Sequence, residues 1–471
     1  MIKIYFDWNV LSQIRNGKHN ELKDIIWDNE DLFIPFSTSH ISDIFSSYNE
    51  TQKQNDLINE DLEFISHLTK DKCLMNTGTE VLLDFYSPKD LFEQKIQEKD
   101  TFTDLSLDGL MKIFEEGEEV APIASALLNM IKALPVNELF QKAFENPESS
   151  TIMEKMFPGL KEEPTMEGFF KSFSKMNANF NESDEYKDFR QMLQSGFGIN
   201  RDKIFDSKEP YKTIDAVHEK LNINPLEHFD DSKYAPQWFN KITNEYLLLD
   251  MHGYQEDKVN IKKGRKETFK NTTEDSFHAA FASTCNIYVI NDNKSYKKTR
   301  VIYDRLDVNT LVMKPNEFVE HYKNYLKLDS PLSNISLPFE FIQTDHFVES
   351  EKEGNIFRTY VFYQFLYNFF NKITLVKRAD GGNPLLVLQQ HEPSNNTVYS
   401  IEVEHLVKTI NSLFGSDIEN LGEVKLEELQ QEIWVGRKWK LDGLILRLIR
   451  SNNEFQLYYD LNSDRKKEEE S

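Results

Sequence analysis

The chain has 471 residues and a formal net charge of −24. Its length corresponds to two or three domains of about 100 to 200 residues each. The acidic balance excludes a protein that coats nucleic acid by bulk charge, although a local basic patch can still bind phosphate. Hydrophobic residues (39%) and aromatic residues (13%) are sufficient for packed cores, and only two cysteines exclude a disulfide scaffold.

The ends and apolar runs of the sequence bear on localisation. The first residues lack the apolar core and cleavage site of a signal peptide. The most apolar later run, residues 360–370, is shorter than the roughly 20 residues of a membrane span. With Cys73 and Cys285 interpreted as reduced thiols, the sequence predicts a cytoplasmic protein without membrane association.

The first 70 residues predict an alternating α/β unit. Apolar residues alternate over residues 2–6, as on a short strand, and a helix is expected over about 10–27. Residues 32–36 predict a second strand. Residues 37–39 offer helix N-cap chemistry, and residues 56–68 show helical spacing.

Residues 71–248 have a different character, with aromatic, apolar and acidic residues at helical spacing and no strand alternation. We expect a helical insertion here. A partly mobile lid is the alternative interpretation.

The α/β pattern returns after residue 258. We expect an amphipathic helix over 273–284, buried strands over 286–290 and 311–313, and a closing helix over 315–326.

Residues after about 329 predict a third region. Strands are expected over 385–389 and 398–403, and over 444–449 and 455–461, which are separated by a hairpin signal.

Several common catalytic motifs are missing from the sequence. It contains no phosphate-binding P-loop, no dinucleotide-binding glycine motif, no H-E-x-x-H and no G-x-S-x-G. The 11 histidines never pair at metal-ligand spacing. Carboxylates are therefore the best candidates for chemistry.

Four acids lie where an α/β sheet exposes ligands. Asp7 and Asp292 each follow a predicted strand, Asp43 lies one turn after Ser39, and Asp275 lies in the first turn of a helix. Each has an ordinary structural explanation: a helix N-cap, a solvated helix residue, a favourable helix dipole or a turn. The set is more specific than its members.

Together these segments resemble the PIN-domain ribonuclease family. The matching pieces are Asp7-Trp8-Asn9, similar to D-x-N, residues 39–44 with their acid, residues 275–282, similar to D-x-x-h-x-A-x-A, and residues 288–292, similar to the closing T-x-D. The match covers about residues 1–70 and 245–325. It departs from the family at Ile290, where the family has Thr or Ser, and in the long segment between the two halves.

The resemblance implies a parallel-sheet domain that gathers its acids around Mg²⁺ or Mn²⁺ and cleaves RNA endonucleolytically. It implies direct metal binding by Asp7 and Asp292, and by Asp275 directly or through water. Asp43 then orients a metal-bound water, with Asn9 and Ser39 in supporting positions.

The charge distribution is consistent with a phosphodiester substrate. Residues 258–305 contain 11 basic and five acidic residues, a net charge of +6 in an acidic chain. An ordinary solvated loop is the alternative. The candidate nucleic-acid-binding residues are Lys262, Lys263, Arg265, Lys266, Lys294, Lys297, Lys298 and Arg300.

The sequence thus predicts an α/β fold. Its parts are a PIN-like parallel sheet flanked by helices (1–70 plus 245–328), a helical insertion (71–244) and a C-terminal α+β domain (329–471). The predicted function is that of a metal-dependent endoribonuclease. The predicted biological role is that of a regulated toxin or anti-phage effector that responds to a trigger or regulatory protein. The alternatives are a non-catalytic PIN-like scaffold that binds RNA or protein, and a DNase on the same fold.

Overall fold

The computed structural model describes residues 1–48, 51–98, 150, 154, 185–196, 198–221, 235–256, 269–327, 333–344, 347–391, 399–431, 433–441, 444–451 and 454–460. The chain divides into two compact units. Unit 1 comprises Met1–Lys3, Glu21–Phe33 and Asn316–Ser471, and unit 2 comprises Ile4–Asn20 and Ile34–Pro315.

The strands and helices of the described ranges are numbered here in chain order. The strands are β1 (Ile2–Phe6), β2 (Leu32–Phe33), β3 (Phe36–Ser37), β4 (Lys72–Asn76), β5 (Val81–Phe85), β6 (Ile287–Val289), β7 (Leu311–Met313), β8 (Val348–Lys352), β9 (Asn355–Leu366), β10 (Phe370–Lys377), β11 (Leu385–Gln389), β12 (Arg437–Leu441), β13 (Leu444–Ser451) and β14 (Glu454–Asp460). The helices are α1 (Trp8–Arg15), α2 (Asn20–Ile26), α3 (Thr38–Phe45), α4 (Gln52–Thr69), α5 (Pro88–Glu98), α6 (Glu185–Gly196), α7 (Arg201–Ile204), α8 (Pro210–Leu221), α9 (Gln237–Met251), α10 (Phe269–Ala282), α11 (Asn293–Arg305), α12 (Pro315–His321), α13 (Ser333–Phe341), α14 (Tyr399–Phe414) and α15 (Leu426–Leu429), with a π-helix at Tyr322–Leu326. None of these described helices combines the length and the apolar character needed to cross a bilayer.

A parallel sheet carries the candidate site. Its order is β2–β1–β6–β7, and every neighbouring pair is parallel. Ile4, Tyr5 and Phe6 pair with Ile287, Tyr288 and Val289. The prediction that the strands on either side of the long intervening segment belong to one sheet is therefore confirmed.

Helices of unit 2 cover this sheet. The residues of β1 and β6 are all buried, as expected for parallel strands that are packed on both faces. Helix α9 packs against α10 and α11, and its Tyr246 shares a core with Tyr5 and Tyr288. The core of unit 2 thus lies directly beneath the ends of the strands that carry the acids.

A small second sheet corrects the prediction for residues 71–248. Strands β4 and β5 form an antiparallel hairpin, and β3 pairs with β4 in parallel. The prediction of no strand in this segment is wrong. Alternation is hidden because Leu82 and Leu83 are adjacent apolar residues and because Phe85 is exposed. Most of the predicted helical insertion, including residues 101–149, lies outside the described residues.

Two predicted elements near the N-terminus are each divided. The helix predicted over 10–27 is two helices, α1 and α2, because the chain turns through positive φ at Gly17 (77°) and His19 (54°). The strand predicted over 32–36 is two short strands in different sheets. Pro35 lies between them and has no N–H for a sheet hydrogen bond.

Unit 1 contains an antiparallel sheet of seven strands in the order β12–β13–β14–β11–β10–β9–β8. The strand predicted over 385–389 and the predicted hairpin, now β13 and β14, are confirmed. The strand predicted over 398–403 is wrong, because helix α14 begins at Tyr399. Its apolar residues continue at helical spacing and are buried: Val403, Leu406, Val407 and Ile410.

Candidate acid site

Two of the predicted acids lie side by side at the carboxyl edge of the parallel sheet. Asp7 directly follows β1, its N–H donates to the Val289 carbonyl (2.9 Å), and Asp292 follows β6 by three residues. Both also cap helices. Asp7 Oδ2 accepts from the Asn9 N–H (3.3 Å), and Asp292 Oδ1 accepts from the N–H groups of residues 294 and 295 (2.8 and 2.9 Å).

The environment of Asp7 is crowded with negative charge. Asp7 is only 7% exposed. Burial raises the pKa of Asp7 to about 6, assisted by the charges of Asp43 and Asp292 and opposed by His278 and the Asn9 N–H. Three of the predicted acids therefore interact electrostatically.

Asp43 is held by a histidine on another helix. His278 Nε2 lies 3.0 Å from Asp43 Oδ2, and the Asp43 side chain is 30% exposed whereas that of His278 is fully buried. Burial lowers the pKa of His278, but the hydrogen bond and charge of Asp43 outweigh it, with Asp7 and Asp275 assisting, and raise that pKa to about 9. His278 is thus a cation at neutral pH, paired with Asp43.

Tyr5 connects this pair to a second histidine. Its Oη lies 2.8 Å from His278 Nδ1, 2.6 Å from Ser37 Oγ and 3.4 Å from His40 Nδ1. His40 Nε2 donates to the Phe6 carbonyl (2.8 Å), while its Nδ1 accepts from the Ser37 N–H (3.0 Å). Burial, followed by the charge of His278, holds the pKa of His40 well below its usual value. Neighbouring histidines therefore differ in charge.

Asp275, the fourth predicted acid, is bound by two hydroxyl groups. Ser295 Oγ donates to Asp275 Oδ2 (3.0 Å), and Tyr246 Oη lies 3.4 Å from the same oxygen. Since the Ser295 N–H also donates to Asp292 Oδ1, Ser295 contacts two of the four acids.

Two further charged residues belong to this cluster and were not predicted. Burial raises the pKa of Glu274 to about 7, with Lys95 opposing the shift and Asp43 adding to it. Lys95 Nζ donates to Ser42 Oγ (2.6 Å), next to Asp43 in sequence. Glu274 had a sequence signal, as the residue before Asp275, but nothing in the local sequence connects Lys95 to the acids.

The two predicted supporting residues differ in their contacts. The backbone N–H of Asn9 donates to the N-cap residue Asp7, while the exposed Asn9 side chain accepts from Gln13 Nε2 (2.6 Å). Ser39 is buried, and its Oγ has no hydrogen-bond partner among the described residues.

The structure describes four of the eight predicted nucleic-acid-binding residues. Lys298 is fully buried and donates to Asp250 (2.7 Å), so it is not accessible to a substrate. Lys297 is 44% exposed and pairs with Asp206 (2.6 Å). Arg300 is exposed on α11 as well, and half-buried Lys294 contributes its N–H to the Asp292 cap. The remaining candidates lie outside the described residues: Lys262, Lys263, Arg265 and Lys266.

The donor chemistry of the acids suits Mg²⁺ or Mn²⁺, which prefer hard oxygen ligands and take few protein carboxylates. Within the described ranges, helix capping occupies Oδ2 of Asp7 and Oδ1 of Asp292, and each acid keeps its other oxygen. In the same ranges no three His, Cys, Asp or Glu side chains are spaced to hold a metal ion. Asp7 and Asp292 each have one oxygen outside their helix caps that could accept such an ion.

Comparisons of this chain with models of protein families, with curated proteins and with solved structures found no match.

Proposed function

We propose that this chain is a Mg²⁺- or Mn²⁺-dependent endoribonuclease whose active site comprises Asp7, Asp43, Asp275 and Asp292. The observation that carries the proposal is that Asp7 and Asp292 follow adjacent parallel strands at one edge of the sheet, with the charge of Asp43 acting on Asp7. Ligands of open α/β sheets bind outside the carboxyl ends of the strands.

A divalent cation at this edge would activate a water molecule and stabilise the charge that develops on the phosphate. Asp7 and Asp292 would hold it through the oxygens that their helix caps leave available. Burial raises the pKa of Asp7 to about 6, and a cation bound nearby would lower this pKa and favour the carboxylate form. Asp43, whose carboxylate is paired with His278, would orient a water molecule bound to the ion.

Positive charge for the substrate is supplied by α11, the helix that begins after Asp292. Lys297 and Arg300 are exposed on this helix. A phosphodiester backbone binds to such cations, and its affinity falls as salt rises. RNA is the proposed substrate.

The test is to incubate the purified protein with RNA and DNA pools, with Mn²⁺ or with chelator, beside an Asp292→Asn variant. We expect cleavage of RNA only with Mn²⁺ and only by the wild type. Cleavage of DNA alone would assign a DNase. A nuclease that awaits a trigger would still bind Mn²⁺, so the absence of both cleavage and a Mn²⁺-induced rise in melting temperature would refute the proposal.

One observation favours the alternative of a non-catalytic scaffold. Asp43 is ion-paired with His278, which already neutralises one of the four acids. A scaffold would bind RNA without cutting it, and its melting temperature would not respond to Mn²⁺.

A further inference from the structure

A single buried serine links two acids of the site. Ser295 lies in the first turn of α11 and is 4% exposed. Its N–H donates to Asp292 Oδ1 (2.9 Å) and its hydroxyl donates to Asp275 Oδ2 (3.0 Å). Because Asp292 follows a strand and Asp275 lies on α10, this residue spans two separate elements.

A buried tyrosine sets the direction of this link. Tyr246 on α9 is fully buried, and its Oη donates to Ser295 Oγ (2.8 Å). A hydroxyl has one proton to donate, and a carboxylate can only accept. Tyr246 therefore donates to Ser295, and Ser295 donates to Asp275. This order uses the shortest distances, since the direct distance from Tyr246 Oη to Asp275 Oδ2 is longer (3.4 Å).

The tyrosine ring is itself held in place. Lys298 Nζ lies 4.9 Å from the ring centroid of Tyr246, and the same ammonium group is ion-paired with buried Asp250 (2.7 Å). Lys298 lies one turn after Ser295 on α11. Packing between α9 and α11 thus fixes the positions of Tyr246, Ser295 and Lys298.

We propose that Tyr246 and Ser295 are positioning residues that hold the carboxylate of Asp275 beside that of Asp292. The role of these residues rests on the proposed function, whereas the hydrogen bonds among them involve protein groups alone. Loss of the Ser295 hydroxyl removes a donor from Asp275 and also removes the nearer of the two acceptors that face the buried Tyr246 hydroxyl. Asp275 is then less well oriented for a cation bound at Asp292.

The first experiment measures Mn²⁺ affinity by titration of Ser295→Ala, Ser295→Thr and Tyr246→Phe. We expect Ser295→Ala to weaken binding by about tenfold or more, as for other residues that orient metal ligands. Ser295→Thr keeps the hydroxyl and should restore most of the affinity, and Tyr246→Phe should have a smaller effect. The matched control is Ser276→Ala, since buried Ser276 is next to Asp275 but donates to the Thr273 carbonyl (2.6 Å). Equal losses in Ser295→Ala, Ser295→Thr and Ser276→Ala would overturn the proposal.

The second experiment needs no metal. Melting temperatures are measured in chelator for Ser295→Ala, Asp275→Ala and the double variant. If the relay acts through Asp275, the shift caused by Ser295→Ala shrinks in the Asp275→Ala background. Additive shifts would overturn the proposal. If the variants show non-additive shifts but the wild type binds no Mn²⁺, the hydrogen-bond relay is supported and the nuclease proposal is refuted. Failure of the relay and failure of the proposed function are therefore distinguishable.

Discussion

Asp7 has two structural roles at once, because it caps α1 and contributes a buried carboxylate to the acid site. Burial and two neighbouring acids raise its pKa to about 6. An acid whose pKa is higher in the folded state stabilises the fold while protonated, fully below its usual value of 3.8. This contribution disappears as the pH rises through about 6.

We therefore predict that Asp7→Asn abolishes cleavage and yet stabilises the metal-free protein above pH 6. Asparagine resembles the protonated acid and still accepts the Asn9 N–H. The gain should be at most about 3 kcal/mol, from a shift of roughly two pKa units. Urea unfolding in chelator at pH 7.5 measures it.

The matched control for this prediction is Asp292→Asn. Asp292 is exposed, so removal of its charge should abolish activity with little gain in stability. An Asp7→Asn variant that is less stable than the wild type above pH 6 would contradict the electrostatic explanation.

His278 should make stability depend on pH at the alkaline end. Its pKa is raised from 6.5 to about 9 by Asp43, against the effect of burial, so its contribution is complete below 6.5 and is lost as the pH rises through 9. We expect the free energy of unfolding to fall by on the order of 3 kcal/mol over this window. In His278→Gln the fall should be much smaller. Identical pH profiles for the two proteins would show that the ion pair is not the cause.

The sequence could suggest the four acids but could not suggest how they are held. His278 lies three residues after Asp275 on an apolar helix, which favours interpretation as a packing histidine. Its two nitrogens in fact contact Asp43 and Tyr5, which are 235 and 273 residues away in sequence. No local spacing encodes such contacts.

At the scale of elements, the type of an element was predicted correctly where its apolar residues had one clear spacing. The prediction failed where the same residues fitted both a strand and a helix. The strands β7, β11 and β13 have simple apolar patterns, and α4 shows apolar residues at helical spacing between Leu57 and Leu68. Residues 398–403 alternate like a strand over a few positions. Only the later apolar residues of α14, which is 16 residues long, reveal the helical period.

Helix α8 should become less stable in acid. His218 Nε2 and His252 Nε2 are 3.1 Å apart, and His252 Nδ1 donates to the Leu248 carbonyl, so His218 is the donor between the rings. Burial, together with the neighbouring imidazole, lowers the pKa of His252 from 6.5 to about 4. Burial also lowers the pKa of His218, where Asp215 opposes the shift and Arg305 adds to it.

A histidine with a lowered pKa stabilises the fold above its usual value and ceases to do so as the pH falls. We therefore predict that amide hydrogen exchange in α8 is faster at pH 5 than at pH 7.5, once the rates are corrected for the intrinsic pH dependence of exchange. Helix α4 serves as the reference, and its corrected exchange rate should not change. His252→Gln should remove most of the difference. Equal protection of α8 at both pH values would contradict the prediction.

At the scale of the whole molecule, the compact units do not follow the order of the chain. Unit 1 combines residues 1–3 and 21–33 with a segment that begins at Asn316. Composition changes along the sequence can indicate an insertion, but they cannot show that short early segments pack with distant later ones. Such grouping depends on tertiary contacts.

One of these contacts is a buried ion pair within unit 1. Lys3 Nζ lies 3.0 Å from Glu402 Oε1, and the two side chains are 2% and 7% exposed. We predict that Glu402→Leu alone destabilises the protein by about 3 to 5 kcal/mol, because it removes the carboxylate that is ion-paired with a buried ammonium group. The double variant Lys3→Met/Glu402→Leu should recover most of this loss in chemical denaturation. Additive losses would show that the two residues act independently.

The pairing of β1 with β6 also has a consequence during synthesis on the ribosome. Val289 follows Phe6 by 283 residues, and translation at about 5 to 20 residues per second needs roughly 15 to 60 s to cover that distance. For most of that time the emerging polypeptide holds Asp7 and Asp43 without Asp275, and Asp292 comes three residues after Val289. If the four acids cleave RNA as proposed, the growing chain is harmless to the messenger that encodes it until unit 2 is almost completely translated.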